Sequence, residues 1–225
     1  MFERSLTVAE VVTCSSTCAQ VFQRHRIDFC CRGEQSIEAA ARLKGVEVSA
    51  LLSELALAAT QRTPEAPDVR RLSMRDLVAF TLSHHHEPLL RTLPLVSALA
   101  SKVRTVHGSH APGLLRLESR VAELTAALEG HLADEATRLF PPLAAVALDE
   151  ATQVLLEAAF ADHVAVVAML EGIREAADDF VAPEWACTSF RTLYSQLHWL
   201  ELDVFSLIHL ENYVLRPRLA SSDGP

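Results

Sequence analysis

The stretch HLADEATRLFPPL, from His131 to Leu143, returns in altered form as LIHLENYVLRPRL, from Leu207 to Leu219. At one constant offset Glu135 aligns with Glu211, and the leucine and proline that follow each glutamate align as well. A repeat of this length indicates that one supersecondary unit occurs twice in the chain. We therefore expect two related helix pairs.

Four long helical patterns surround this repeat, at roughly 74–106, 112–139, 150–178 and 185–215. Four long helices with short connections are typical of an antiparallel bundle. Pro88 lies inside the first pattern, where we expect it to kink the helix because proline disrupts the helical hydrogen-bond ladder.

Short helices are predicted before the bundle. Thr7 and Glu10 have the spacing of a capping box, Ser36 and Gly45 bracket a second helix, and Ser49 is a candidate cap for a third. The fold class is therefore all-α, a small helical domain followed by a four-helix bundle.

Composition changes define the expected boundaries. The predicted segments are a small helical domain at 1–61, a linker with two prolines among charges at 62–72, the bundle at 73–220, and a disordered tail at 221–225.

Composition also excludes several classes of function. Half of the 225 residues are apolar, and the net charge is -9 without a clustered basic face, which argues against nucleic acid as a partner. No uninterrupted apolar run approaches the ~18 residues that cross a bilayer, and because the start is charged and has no apolar segment, we expect no signal peptide. The five cysteines, an odd count, argue against a disulfide framework, so we expect a cytoplasmic protein with reduced thiols.

Histidines and glutamates recur at repeat-related positions of the four helices. The set is His86, His131, Glu135, His163 and Glu211. His131 and Glu135 are four residues apart and share one helix face. Imidazoles and carboxylates from facing helices are how bundles build di-iron sites. A single histidine on a helix is more often a hydrogen-bonded or exposed side chain than a metal ligand. Likewise, His131 and Glu135 alone could form a solvated ion pair. The pattern of all five residues on four helices, however, predicts metal binding.

RHRIDFCCRG, from Arg24 to Gly33, resembles the cysteine-pair motif of the repair-of-iron-centres (Ric) family, and HHEPLLRTLP, HLADEATRLFP and IHLENYVLRPR resemble that family's hemerythrin-like domain. The resemblance spans about residues 5 to 220. It implies a non-haem di-iron protein, made under nitrosative and oxidative stress, that helps to repair damaged iron–sulfur clusters.

The resemblance also implies a ligand set, namely His86, His131, Glu135, His163 and Glu211, with Glu135 and Glu211 as bridging carboxylates. The family has a further histidine where this chain has Leu207. His209 faces away from Glu211 on a regular helix, whereas Asp203 lies nearer the correct face. We predict two iron ions, one held more weakly or with an open position; a site reduced to one metal or none is the alternative.

Cys30 and Cys31 are adjacent, so a disulfide between them is disfavoured, and their thiolates could engage iron or nitrosyl species in a redox or transfer role. The basic residues around the pair are expected to lower a thiol pKa. They are Arg24, His25, Arg26 and Arg32. The other cysteines, Cys14, Cys18 and Cys187, are interpreted as packing or structural residues. His107 is either a group near the metal pocket or a helix C-cap.

Several functions remain open at this point. The leading hypothesis is a repair or iron-donor protein with damaged iron–sulfur proteins as partners. The alternative is an oxygen- or nitric oxide-binding or sensing bundle, and a third hypothesis is a metal-free interaction protein. Turnover such as nitric oxide reduction or ferroxidation requires the same iron. The oligomeric state is open, a homodimer included.

Overall fold

The computed structural model describes residues 2–61, 67–145 and 149–220. Across these ranges the secondary structure is helical without a β-strand, and an isolated bridge joins Thr7 to Ser36. The prediction of an all-α fold is confirmed. The chain forms two compact units, Met1–Leu77 with Phe205–Pro225, and Val78–Val204. The start of the predicted linker, 62–66, and the predicted tail, 221–225, lie outside the described residues.

Four short helices form the first part of the chain. They are α1 (Val8–Cys14), α2 (Ala19–Arg24), α3 (Ile37–Lys44) and α4 (Val48–Thr60). The capping box of α1 is confirmed, because Glu10 N–H donates to Thr7 Oγ1 while Thr7 N–H donates to the Glu10 carboxylate. Ser36 caps α3, and Gly45 ends it with φ +67°, a left-handed conformation that suits glycine.

The predicted cap of α4 was wrong by two residues. Glu47, not Ser49, precedes the helix, and its Oε2 accepts a hydrogen bond of 2.8 Å from Ala50 N–H. The Ser49 hydroxyl donates to the same carboxylate instead of capping a backbone group. A glutamate at the N-terminus also complements the helix dipole, which explains why it replaces the shorter side chain.

The remaining helices cover the second half of the chain. They are α5 (Met74–Thr81), α6 (Glu87–His107), α7 (Gly113–Asp134), α8 (Phe140–Ala144), α9 (Glu150–Ala176), α10 (Thr188–Leu210) and α11 (Arg216–Ala220). Buried side chains recur on them at alternating spacings of three and four residues, which is the pattern of a packed bundle. On α9 the buried stripe runs through Leu156, Ala159, His163, Val166 and Leu170. His163 therefore occupies a core position.

Three π-helical turns interrupt these helices, at Leu82–His86, Glu135–Leu139 and Glu211–Leu215. In each case the residue after the turn donates its N–H five residues back, and a proline follows that residue. Proline lacks an N–H and clashes with the carbonyl four residues before it, so a locally widened helix relieves the clash. The kink expected at Pro88 takes this form.

Helix α9 is the most apolar of the long helices. Its most apolar 18-residue window has a mean hydropathy of 1.6, so the helix could cross a membrane by length and composition alone. Glu157 and Asp162 interrupt its apolar run, and His163, near its middle, is buried. Leu156 and Val166 are buried on the same stripe, as in a core helix of a bundle.

Candidate metal centre

The π-helical turns place the first ligand candidates against each other. His86 ends the Leu82–His86 turn and Glu135 begins the Glu135–Leu139 turn. His86 Nε2 lies 3.2 Å from Glu135 Oε2, and His131 Nε2 lies 3.3 Å from Glu135 Oε1. One carboxylate therefore faces imidazoles from two different helices, with side-chain exposures of only 2%, 3% and 8% for His86, Glu135 and His131.

The group extends to a third histidine. The ring centroids of His131 and His163 are 5.2 Å apart in an edge-to-face arrangement. One nitrogen or oxygen atom from each of His131, Glu135 and His163 lies within 4.8 Å of the other two. This spacing is short enough for the three side chains to ligate a common metal ion. Glu211 follows directly on α10, and its side chain is buried.

The chemistry of the group fits a cation. Glu135 Oε2 is buried, and within the described ranges it accepts no hydrogen bond, although His86 Nε2 is 3.2 Å away. A buried carboxylate oxygen that accepts no hydrogen bond is costly, and a cation beside it lowers that cost. Imidazole and carboxylate donors together suit a transition metal such as iron.

The immediate surroundings contain residues that the sequence did not single out. The Phe140 ring packs on His86 with centroids 5.1 Å apart, and the Phe160 ring packs on His163 at 5.6 Å. Asp162 Oδ2 lies 3.6 Å from His131 Nδ1 at the more exposed edge of the group. A carboxylate on the far ring nitrogen orients an imidazole ligand, so Asp162 is a candidate for that role. The only hint of this role in the sequence was that Asp162 directly precedes His163.

Position 207, one turn before Glu211, holds a buried leucine with 1% exposure. His209 has a different task from ligation, because its Nδ1 is 3.0 Å from the Phe29 carbonyl oxygen and its Nε2 is 3.0 Å from Thr13 Oγ1. The carbonyl accepts only, so Nδ1 carries the proton. Burial lowers the pKa of His209 to about 4, and the hydrogen bond to Phe29 offsets this only in part. Asp203, the other candidate near this position, is exposed.

The cysteine pair lies in a tightly hydrogen-bonded loop. Asp28 Oδ1 accepts the backbone N–H groups of both Cys30 and Cys31, at 3.0 and 2.8 Å. Asn212 donates to the Cys30 carbonyl oxygen at 2.8 Å, and Gly33 N–H donates to the Tyr213 hydroxyl at the same distance. The turn that begins at Glu211 therefore also fixes the loop that carries the cysteines.

The expected activation of the cysteine pair is wrong for Cys30. Its Sγ donates to Cys31 Sγ at 3.9 Å, and this bond together with burial raises the Cys30 pKa well above the usual range for a thiol. Two of the basic residues are paired with another acidic residue, since Arg24 and His25 both lie 3.0 Å from the Glu54 carboxylate. Cys31 is the more accessible member of the pair.

The remaining cysteines differ in exposure. None of the five forms a disulfide in the described part of the chain. Cys18 is buried and donates to the Leu55 carbonyl at 3.6 Å, which confirms a packing role. Cys14 and Cys187 are exposed, so the packing interpretation is wrong for Cys14, and Cys187 contributes to no core. His107 ends α6, and its Nε2 lies 3.1 Å from Cys187 Sγ.

Comparison with known families covers nearly the whole chain. The N-terminal ScdA family, described as a domain of unknown function, matches residues 4–59. The hemerythrin HHE cation-binding domain matches residues 77–219. The second match includes every histidine and glutamate of the candidate metal centre.

Similar proteins from Staphylococcus and Yersinia match most of the chain. The iron-sulfur cluster repair protein ScdA of Staphylococcus haemolyticus is 30% identical over 227 residues, covering 96% of this chain and 98% of that protein. The iron-sulfur cluster repair protein YtfE of Yersinia pseudotuberculosis is 30% identical over 200 residues, covering 88% of this chain and 89% of its own. The YtfE protein of Yersinia pestis has the same identity and coverage.

Proposed function

Because the chain belongs to the iron-sulfur cluster repair family represented by ScdA and YtfE, we propose that it repairs damaged iron–sulfur clusters. The observation that carries this proposal is the buried group of His131, Glu135 and His163, whose ligand atoms lie within 4.8 Å of one another. A repair protein needs a place to hold iron, and this group provides donors of the right chemistry. The two relatives are named for repair, which favours this function over gas sensing.

The proposed ligands are the three imidazoles of His86, His131 and His163 and the two carboxylates of Glu135 and Glu211. Glu135 would hold iron through both oxygens, since these face His86 and His131 separately, at 3.2 and 3.3 Å. Two carboxylates balance much of the charge of two divalent ions, and neutral imidazoles add donors without adding charge. Iron supplies redox and ligand-exchange chemistry when it is bound.

We propose that the two iron ions are held unequally. The internal repeat pairs His131 and Glu135 with Leu207 and Glu211, so one half of the site has a nitrogen donor that the other half lacks. A buried leucine cannot bind a metal, and loss of one donor is expected to weaken binding by tens-fold or more. An unequal pair suits an iron donor, because the weakly held ion is the one available for transfer.

The cysteine loop is the proposed contact with the damaged cluster. Cys31 is half-buried and the more accessible of the pair, whereas Cys30 is buried and its Sγ lies 3.9 Å from Cys31 Sγ. In this proposal the Asp28, Asn212 and Tyr213 hydrogen bonds hold the loop in one shape, so the Cys31 thiol is presented to a client at little cost in ordering. The clients are iron–sulfur proteins in the cytoplasm, where free cysteines persist.

Repair is tested by reactivation of an iron–sulfur dehydratase that nitric oxide has inactivated. The full chain loaded with ferrous iron is expected to restore dehydratase activity, and the double variant Cys30→Ala with Cys31→Ala is expected to restore much less while keeping its iron. Cys14→Ala is the matched control, since Cys14 is also a thiol of the N-terminal region but is exposed. Failure of the iron-loaded chain to restore activity beyond free ferrous iron would overturn the repair function.

A further inference from the structure

The end of α6 and the start of α10 bring an imidazole against a thiol. His107 Nε2 lies 3.1 Å from Cys187 Sγ, and the thiol is exposed. Both residues belong to the Val78–Val204 unit. When the ring proton is on Nδ1, His107 Nε2 is a base placed directly on an accessible thiol. A nucleophile with a base within hydrogen-bond reach is the minimal arrangement of a reactive cysteine.

The backbone adds a second activating feature. Cys187 immediately precedes α10, a helix of 23 residues, and its carbonyl oxygen accepts the Arg191 N–H at 3.0 Å. The thiol therefore lies at the N-terminal end of a long helix, where the helix dipole favours a negative charge.

The pair is held in place from both sides. The His107 ring packs against the rings of Trp185 and Phe190, with centroids 5.7 and 5.8 Å away. The Arg191 guanidinium donates to the carbonyl oxygens of Ala186 and Glu184, at 3.1 and 2.7 Å, and so fixes the loop that leads to Cys187. Because these contacts fix both side chains, the His107 imidazole stays next to the Cys187 thiol and no conformational entropy has to be lost to bring them together.

We propose that Cys187, activated by His107, is a site of mixed-disulfide formation with low-molecular-weight disulfides. His107 Nε2 takes the thiol proton, and the Cys187 thiolate attacks one sulfur of the disulfide. A bond forms between Cys187 Sγ and that sulfur while the original sulfur–sulfur bond breaks. The leaving thiolate takes up the proton and departs as a free thiol, so Cys187 is oxidised and the leaving sulfur is reduced.

This proposal does not depend on iron or on cluster repair. Cys14 provides an internal comparison, because it is an exposed cysteine at the last residue of α1, and its Sγ accepts from the Arg70 guanidinium at 3.6 Å, a group that cannot take the thiol proton as an imidazole can. Because His107 supplies a base at hydrogen-bond distance from Cys187, the rate of disulfide exchange at Cys187 is expected to be on the order of 10-fold higher than at Cys14.

The experiment incubates the full chain with glutathione disulfide at pH 7 and follows each cysteine-containing peptide by mass spectrometry. We expect Cys187 to acquire glutathione about 10-fold faster than Cys14, and His107→Gln to reduce the Cys187 rate to that of Cys14. His110→Gln is the matched control, since it removes an exposed histidine of the same loop that contacts Ser109. It should leave both rates unchanged.

Equal rates at Cys187 and Cys14 in the wild-type chain would overturn the proposal, as would an unchanged Cys187 rate in His107→Gln. Far-ultraviolet circular dichroism of each variant shows whether a lower rate results from removal of the imidazole or from unfolding of the chain. Should His107→Gln lose helical structure, His107→Asn supplies a second variant in which the imidazole is absent, and a slow Cys187 in a folded His107→Asn chain supports the proposal. A fast Cys187 there contradicts it.

Discussion

His86 Nε2 and Glu135 Oε2, which come from different helices of the bundle, lie 3.2 Å apart in the protein interior. Both belong to π-helical turns that precede a proline. The widened turns therefore coincide with the residues proposed to hold iron. Local helix distortions of this kind are frequent at functional sites.

Glu135→Gln is expected to reduce the iron bound per chain. The substitution keeps the size of the side chain but removes the negative charge and one metal-binding oxygen, while His86 and His131 stay in place. Iron is measured after anaerobic reconstitution with ferrous salt and removal of the excess. Glu129→Gln, at an exposed position of α7, is the control and should bind as much iron as the wild type. Equal iron in both variants would remove Glu135 from the ligand set.

Leu207→His is expected to raise the iron content and, without iron, to lower stability. Position 207 is 1% exposed, and burying an imidazole there without a partner costs roughly 1–3 kcal/mol. Bound iron should recover that stability, because a ligand that binds only the folded state stabilises it. Thermal unfolding with and without ferrous iron measures both effects.

Leu200→His supplies the comparison for this second prediction. Leu200 is also 1% exposed and lies on α10, but away from the turn that carries Glu211. The iron-free Leu200→His chain should lose stability to a similar degree, and iron should not restore it. If iron stabilised both histidine variants equally, the placement of the missing donor at position 207 would be wrong.

Gly33→Ala is expected to destabilise the cysteine loop. A Cβ at this position would lie 2.7 Å from Ala9 Cβ and 2.9 Å from the Phe29 carbonyl oxygen, closer than such atoms approach in proteins. We expect a loss of about 1–3 kcal/mol in the free energy of unfolding. Gly130→Ala is the matched control, because a Cβ there meets no atom within 4 Å and should stabilise α7 by about 0.5–1 kcal/mol. Denaturant unfolding distinguishes the two, and a neutral Gly33→Ala would argue against the tight loop.

Cys30 and Cys31 should differ in their reaction with iodoacetamide. The bond that Cys30 Sγ donates to Cys31, together with burial, holds the Cys30 pKa well above its usual range, so Cys30 remains a thiol at neutral pH. We expect Cys31 to be alkylated first at pH 7 to 8, and Cys30 to react only under alkaline conditions or after unfolding. Peptide mapping of partly alkylated protein gives the order. Faster labelling of Cys30 would contradict the geometry of the loop.

Helical spacing was sufficient to predict the all-α fold, whereas the histidine–glutamate ligand set came from the internal repeat and the family resemblance together and stays a prediction. His163 falls on the buried stripe of α9, and Glu135 repeats as Glu211, so periodicity alone points both inward. The role of His209 was not accessible in this way, since its partners Phe29 and Thr13 are distant in sequence. The same holds for His107 and Cys187, which meet only through the fold.

Two predictions made from neighbouring residues alone, the cap of α4 and the activation of Cys30, were wrong. Ser49 has the standard cap side chain, yet the longer Glu47 reaches the Ala50 N–H and binds the serine hydroxyl as well. The basic residues around Cys30 suggested an activated thiol, but Glu54 pairs with Arg24 and His25, and burial acts in the opposite direction. Burial and competing partners of this kind become visible only in three dimensions.

Iron content of the full chain, purified and reconstituted under anaerobic conditions, tests the central claim most directly. Mössbauer spectroscopy of the same samples separates one bound ion from two. We expect iron in the wild-type chain in two unequal environments, and its loss in His163→Ala, which removes a ligand that is 1% exposed. A wild-type chain without iron, or a folded His163→Ala chain that retains the full amount, would contradict the account.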